Sequence, residues 1–490
     1  MRAYSTGFAI YCLAASCAAQ EFRPQIPRAW DDKEVERFEL PLAKRDRSPR
    51  YMSSEHYYKL PVRPIYRSYP AYAEGREPAG YRESLKQKEP EIIAFDVSKL
   101  DTKEDWIQAG KLVFENDNSF SPAPERPVTP EGPLSPEGVM PYYNPGGRYY
   151  IRRKGTLEVG RNSCASCHVR VLPDGRWLQG AQQGREGNTP VTARVKAIRE
   201  STPEEFRRMQ ESNWVNFGIP WVLGKEAFFS ELTKDAFIRN ISAPQSGVVR
   251  RQGTSASHPP HITSLIGIED IRYLDATGLV RHRSIADLMR YAIINLGLDT
   301  TAHFGDFQPT TGTTSFSAEA GSRLSDEQLY AMALYLYSLK PPPNPNPYNE
   351  RARRGEAIFR QQGCSGCHTP PLYTNNKITP AIGFKVPEDL LKSEDVLNVS
   401  VGTDPTLAMR TRRGTGFYKV PSLRGVWYRN AFGHGGWADT LEEWLDPARL
   451  QDGYVPKGFH LGPGPVKGHE FGLKLSPDDR RDLIAFLKTL

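Results

Sequence analysis

The chain has 490 residues, 38% of them hydrophobic and 25% charged, with a formal charge of +7. That length exceeds one ordinary core and points to two or three domains, while no run of eighteen apolar residues occurs, which excludes a polytopic membrane protein. With 21 Phe, 23 Tyr and 8 Trp there is ample core material, so uniform disorder is excluded, and the dispersed positive charge argues against a dedicated nucleic-acid binder.

The first segment has a basic start, an apolar middle (GFAIYCLAAS) and small residues at its end. It reads as a secretory signal over residues 1–19, cut after Ala18 or Ala19. The run LAASC also fits an imperfect lipoprotein site, which would make Cys17 a lipid anchor on an outer membrane. Residues 20–95 follow as a Tyr/Pro/Arg-rich stretch without sustained helical period. They are expected to form an extended arm over the first domain, with partner docking as the functional alternative.

Four cysteines remain beyond the leader, in two copies of one pattern: Cys164-Ala165-Ser166-Cys167-His168 and Cys364-Ser365-Gly366-Cys367-His368. In C-x-x-C-H, two thiols attach to the vinyl groups of one haem and the adjoining histidine ligates its iron. A thioredoxin-like pair has no need of His in both copies, and a disulfide needs no fixed spacing. Zinc would require two pairs 200 residues apart to meet. The sequence therefore predicts two covalent c-type haems, with His168 and His368 as proximal ligands. Export agrees, since bacteria attach such haems outside the cytoplasm.

An internal repeat surrounds these motifs. AGKLVF at 109–114 parallels GEAIF at 355–359, although the first copy carries an insertion of about 45 residues before its cysteines, including the loop-rich PYYNPGGRYY at 141–150. Ile262–Ile268 parallels Val420–Val426, and the pairs Asp275-Ala276 and Gly433-His434 follow at matching distance. Each half closes on an expected helix, 324–339 or 475–490, capped by Ser325 with Gln328 or Ser476 with Asp479. Met332 on the first of these reads as core. The Pro-rich stretch 341–347 is a stiff linker, so the expected domains are 96–340 and 348–490.

Two C-x-x-C-H domains in tandem, with KVPSLRGVWYRNAFGHGG and TLEEWL in the second, resemble the bacterial diheme cytochrome c peroxidase superfamily, including its rubber-oxygenase-like members, over roughly residues 100–490. The resemblance implies a mainly α fold of two class-I-like cytochrome c domains with long loops. Two departures stand out. The peroxidases carry a Trp that bridges the haems, where this chain has Arg272-Tyr273-Leu274-Asp275, and Tyr273 is the expected substitute. Their Met ligand to the second haem falls at Ala448.

His434, His460, His469 and Met409 are candidate sixth ligands of the second iron. His469 is favoured because it lies six residues before the terminal helix, where relatives place such a ligand; His434 suits a propionate or interhaem position. The repeat equivalents in the first half, Ala318 and Ala276, cannot bind iron, so the first haem is expected to be catalytic. Its candidate distal residues are His258, His261, His303, Phe304, Phe307, Phe316 and Glu319, a His or Glu319 serving as general acid–base. Arg412, Arg413, Lys419 and Arg424 are candidate propionate partners.

The resulting expectation is a periplasmic or secreted oxidoreductase. Its first haem activates peroxide or oxygen and its second relays electrons from a small redox protein or quinone-linked cytochrome. The alternatives are a pure electron-transfer cytochrome and a dioxygenase acting on an apolar substrate.

Overall fold

Two crossed helix pairs, one in each half of the chain, organise the computed structural model. It describes residues 21–490 apart from 128–133, 141–146, 184–189, 218, 220, 222–231, 244–246, 251–252, 255–257 and 310–320. The expected leader with Cys17, and likewise Phe316, Ala318 and Glu319, lie outside the described residues. Five helices matter for the site: α1 (Lys103–Glu115), α2 (Ile285–Asn295), α3 (Asp326–Ser338), α4 (Glu350–Gln361) and α5 (Pro477–Leu487). Among the described residues no helix is long and apolar enough to cross a membrane.

Local chemistry sets the ends of these helices. Thr102 and Asp105 form a capping box on α1, and Ser325 and Gln328 do the same on α3. Asn349 caps α4, while Ser476 accepts from the Asp479 amide to cap α5. In the first half α1 lies against α3 so closely that a Cβ at Gly110 would sit 1.9 Å from the Ala331 carbonyl oxygen. In the second half a Cβ at Gly355 would sit 1.9 Å from the Asp482 carbonyl oxygen of α5. Each crossing therefore requires a residue without a side chain, and the two glycines occupy the same place in the repeat.

The insertion in the first half is more ordered than its composition suggests. RYYIRRKGTLEVGR folds as a hairpin, Arg148–Arg153 with Thr156–Arg161, turning at Lys154-Gly155. Ser119–Pro122 pairs with its second strand and Ser68–Pro70 with its first, giving a four-stranded antiparallel sheet. Tyr149, Ile151, Leu157 and Val159 make its buried face with Leu85. The period-2 pattern was present in the sequence, but the flanking Pro/Gly loops masked it.

Residues 21–95 are not a simple extended cover. They contain short helices and strands, and Trp30, Phe38 and Tyr57 join one core with Phe114, Met289, Ile294 and Leu329. Leu40 packs instead with Tyr273, Ile378 and Phe417, and Arg45 pairs with Asp389 at 2.8 Å. The arm thus ties both halves together. Burying Trp30, Phe38 and Tyr57 removes their large aromatic surfaces from water, each worth about 2 kcal/mol or more.

Candidate functional site

Both C-x-x-C-H motifs adopt the same short turn. The amides of Cys167 and His168 bond back to the Cys164 carbonyl, and those of Cys367 and His368 bond back to Cys364. In the first half the sheet delivers the motif: Asp117 accepts from the Ser163 amide at 3.1 Å and from the Tyr150 hydroxyl at 3.0 Å. In the second, α4 delivers it through Gly363 in the left-handed conformation (φ +76°). No disulfide joins any of the four thiols. Burial pushes Cys164 up to about 12 and Cys364 up to about 11, opposite to the depressed pKa of a redox-active pair.

The motifs open onto two adjacent cavities, about 420 Å³ beside Cys164, Cys167 and His168 and about 240 Å³ beside Cys364, Cys367 and His368. Because the pairs line separate cavities, they do not assemble a four-thiol zinc site. His261, Ala276, Lys419 and Arg429 line both, so one wall is shared.

In the second cavity, His368 Nδ1 faces the carbonyls of Pro421 at 3.1 Å and Tyr373 at 3.2 Å. Carbonyls only accept, so the proton is on Nδ1 and Nε2 keeps its lone pair for a metal. His469 stands opposite, its ring centroid 6.3 Å from that of His368. One iron between two imidazoles, with bonds of ~2.0 Å and ~1.1 Å more to each centroid, requires about this separation. The residues present therefore fit a haem with two histidine ligands.

The loop bearing His469 is held by a residue that sequence reasoning missed. Arg449 is fully buried, and its guanidinium donates to the carbonyls of Trp444 (2.9 Å), Val466, Gly468 (2.9 Å) and His469 (2.9 Å). Its planar group also lies over Trp444, whose ring is 5.6 Å from His469. The only signal in the sequence was an Arg following TLEEWLDP, which could equally have been a surface charge.

Lys419 and Arg429 suit haem propionates. Both line the shared wall, and neither forms a salt bridge with a described carboxylate. Desolvation lowers Lys419 to about 8 and also lowers Arg429. Two poorly solvated cations facing two cavities are what acidic haem edges would satisfy.

Other expectations need correction. Tyr273 lines neither cavity: its hydroxyl meets Glu394 at 3.1 Å and accepts from the Asp395 amide at 3.0 Å, so it buttresses the packing of the two halves rather than bridging two centres. Arg412 and Arg413 line neither cavity. Arg412 lies buried over Phe304 and Phe307, and Arg413 pairs with Asp299 at 2.6 Å and Asp275 at 3.3 Å. Arg424 borders the first cavity but pairs with Asp270 at 2.8 Å.

Phe304 and Phe307 pack around Trp221 instead of lining the first cavity, and His303 is exposed on a strand paired with Arg50. His258, His460 and Met409 line neither cavity. His261 lines both, with Nδ1 donating to the Gly433 carbonyl at 2.9 Å, and burial lowers it to about 4. It belongs to the wall between the centres rather than to one distal pocket. His434 borders the second cavity, stacked on Tyr418 at 4.0 Å and edge-on to Trp437 at 4.5 Å. Met332 is buried on α3, yet it also reaches the first cavity.

The fold and site define a tandem-repeat chain with two adjacent cavities, each opening on a C-x-x-C-H turn. No family model matches it. A stretch of 140 residues, 28% of the chain, is 30% identical to methylamine utilization protein MauG of Methylorubrum extorquens, and the match spans 34% of that protein. The chain thus covers about a third of the length of the curated relative it matches. It also shows a distant likeness to hydrazine synthase of Kuenenia stuttgartiensis, at 16% identity over 63% of this chain and 94% of that one, TM-score 0.30. A MauG-like protein associated with microbial copper homeostasis gives 16% identity over 59% and 89%, TM-score 0.31.

Proposed function

We propose that the chain is a diheme c-type oxidoreductase, with one haem held by Cys164, Cys167 and His168 and the other by Cys364, Cys367 and His368. The observation that carries this reading is the asymmetry of two neighbouring cavities. The smaller one has opposed imidazoles at the spacing of a doubly ligated iron; the larger has room beside its single C-x-x-C-H histidine. The local similarity to MauG supports it.

When bound, the two haems supply the redox chemistry, the first meeting peroxide or oxygen and the second exchanging electrons with a small redox protein or quinone-linked cytochrome. The chain's own residues do the rest. His368 presents Nε2 because two carbonyls hold its Nδ1 proton, and Arg449 fixes the backbone of His469. Lys419 and Arg429 offset acidic groups between the cavities. In this reading the halves are two class-I-like cytochrome c domains, and the leader exports the chain to the periplasm or beyond.

Haem content and ligand binding test the proposal. Two haems per chain that resist acid–acetone extraction, with carbon monoxide binding to one of them, are expected. One haem or none refutes the diheme assignment, and two haems that both refuse carbon monoxide refute the enzyme.

A further inference from the structure

Residues at matching places in the repeat meet in the wall between the two cavities. His261 precedes Ile262–Ile268 and Lys419 precedes Val420–Val426, so the two are counterparts, as are Ala276 and His434. The His261 amide donates to the His434 carbonyl at 2.9 Å, and the Lys419 amide donates to the Ala276 carbonyl at 3.1 Å. Each half thus reaches across the wall with the same bond. His261, Ala276 and Lys419 line both cavities, and His434 lines the second. The reciprocal bonds fix the backbone of the wall, so its two sides differ through their side chains.

One of those side chains can change its charge without leaving its place. His261 Nδ1 faces the Gly433 carbonyl at 2.9 Å; a carbonyl only accepts, so Nδ1 carries the proton and Nε2 holds a lone pair. Nε2 makes no hydrogen bond to a described residue and, unlike the ring nitrogens of His434, is not sealed off. A proton added there leaves the Gly433 bond intact. The charged groups facing His261 are Arg429 and Lys419, with Asp275 beyond, near Lys419; the other titratable neighbour is His434, which burial holds neutral, at about 3. Burial, and then the two cations, lower His261 to about 4. Acidic groups set against Arg429 and Lys419 offset part of that effect, and an electron added nearby offsets more.

We propose that His261 is a redox-linked proton site shared by the two centres, taking up a proton at Nε2 when either centre gains an electron; this rests on the diheme reading above. One electron passes from an external one-electron donor to a ferric centre, which becomes ferrous. One proton passes from water to Nε2, and no bond between heavy atoms forms or breaks. The two charges cancel, so a poorly solvated wall avoids a net change in charge. Because the reduced centres favour the protonated ring, acid favours reduction, and the midpoint potentials rise as pH falls. His261 ligates neither iron in this scheme; it compensates charge for both.

Spectroelectrochemical titration of the holoprotein between pH 5 and 7.5 tests this in wild type, His261→Asn and His261→Phe. Asn keeps a donor for the Gly433 carbonyl and loses the titrating nitrogen; Phe keeps the ring and loses both. In wild type the reduction equilibrium of both haems is expected to shift by between about twofold and about tenfold per pH unit, tenfold being one proton per electron. Both variants should lose most of that slope at both haems while keeping two haems per chain and the low-spin spectrum; if His261→Phe fails to hold haem, His261→Asn decides. A slope kept in full by His261→Asn assigns the proton to the haem carboxylates and overturns the proposal alone. A slope lost at one haem only, or wild-type potentials that ignore pH, also overturns it. Wild type without two haems overturns the diheme reading, and the proposal with it.

Discussion

Replacing Arg449 with Met should loosen the second centre without touching a ligand. Four carbonyls, on Trp444, Val466, Gly468 and His469, lose their donor, and Met fills part of the space without offering another. Each buried acceptor left unpaired costs about 1 kcal/mol or more, so the loss is about 3 kcal/mol after some relief from no longer burying a guanidinium. His469 adopts a positive φ of 48°, a conformation a non-glycine residue holds only when its surroundings enforce it, and two of the lost bonds end on Gly468 and His469. Thermal unfolding followed by circular dichroism should drop by several degrees, and electron paramagnetic resonance of the ferric holoprotein should show part of the second centre turning from low to high spin. Arg449→Lys, which keeps the charge and at least one donor, should fall between. An unchanged melting temperature with an unchanged low-spin signal would refute the role given to Arg449.

Other outcomes follow from single contacts. Gly355→Ala and Gly110→Ala each push a Cβ into a facing carbonyl, and each should cost at least about 2 kcal/mol in chemical denaturation; a variant as stable as wild type would show that the helices do not cross there. Burial pushes Glu39 up to about 8, so the folded state favours its protonated form; this contribution is full below the ordinary carboxylate range and is lost as pH rises toward 8. Glu39→Gln lacks that loss, and its stability relative to wild type should climb by up to about 1.4 kcal/mol per pH unit between pH 5 and 8, then level off, whereas parallel curves would contradict a buried carboxyl. Lys419→Met removes a cation from the shared wall and should lower the midpoint potentials of both haems in a spectroelectrochemical titration; a shift in one alone would confine Lys419 to that cavity.

The legible parts of this protein were those whose chemistry is contiguous. C-x-x-C-H is read from five residues and the Ser325–Gln328 cap from four; the repeat also set Gly110 against Gly355, but nothing in the sequence marked either as a helix crossing. His469 was favoured from its place in the loop before the terminal helix together with the family resemblance, and its ring lies 6.3 Å from that of His368. Tyr273 was misjudged because its partners, Glu394 and Asp395, lie more than a hundred positions away, and nothing local marks a hydroxyl that will face a carboxylate. Arg413 and Asp299 were hidden in the same way: a buried ion pair reads as two surface charges until the fold brings them together. Likewise the arm read as extended because its Tyr and Pro residues follow no helical period, yet Ser68–Pro70 completes a sheet whose other strands begin fifty residues later.

Low-temperature electron paramagnetic resonance of the ferric holoprotein tests the central claim most directly. Equal amounts of a high-spin centre and a low-spin centre with two imidazole ligands are expected, the low-spin signal disappearing in His469→Ala while the high-spin signal persists. Two low-spin centres in wild type, or a low-spin signal untouched by His469→Ala, would contradict the division of labour between the two cavities.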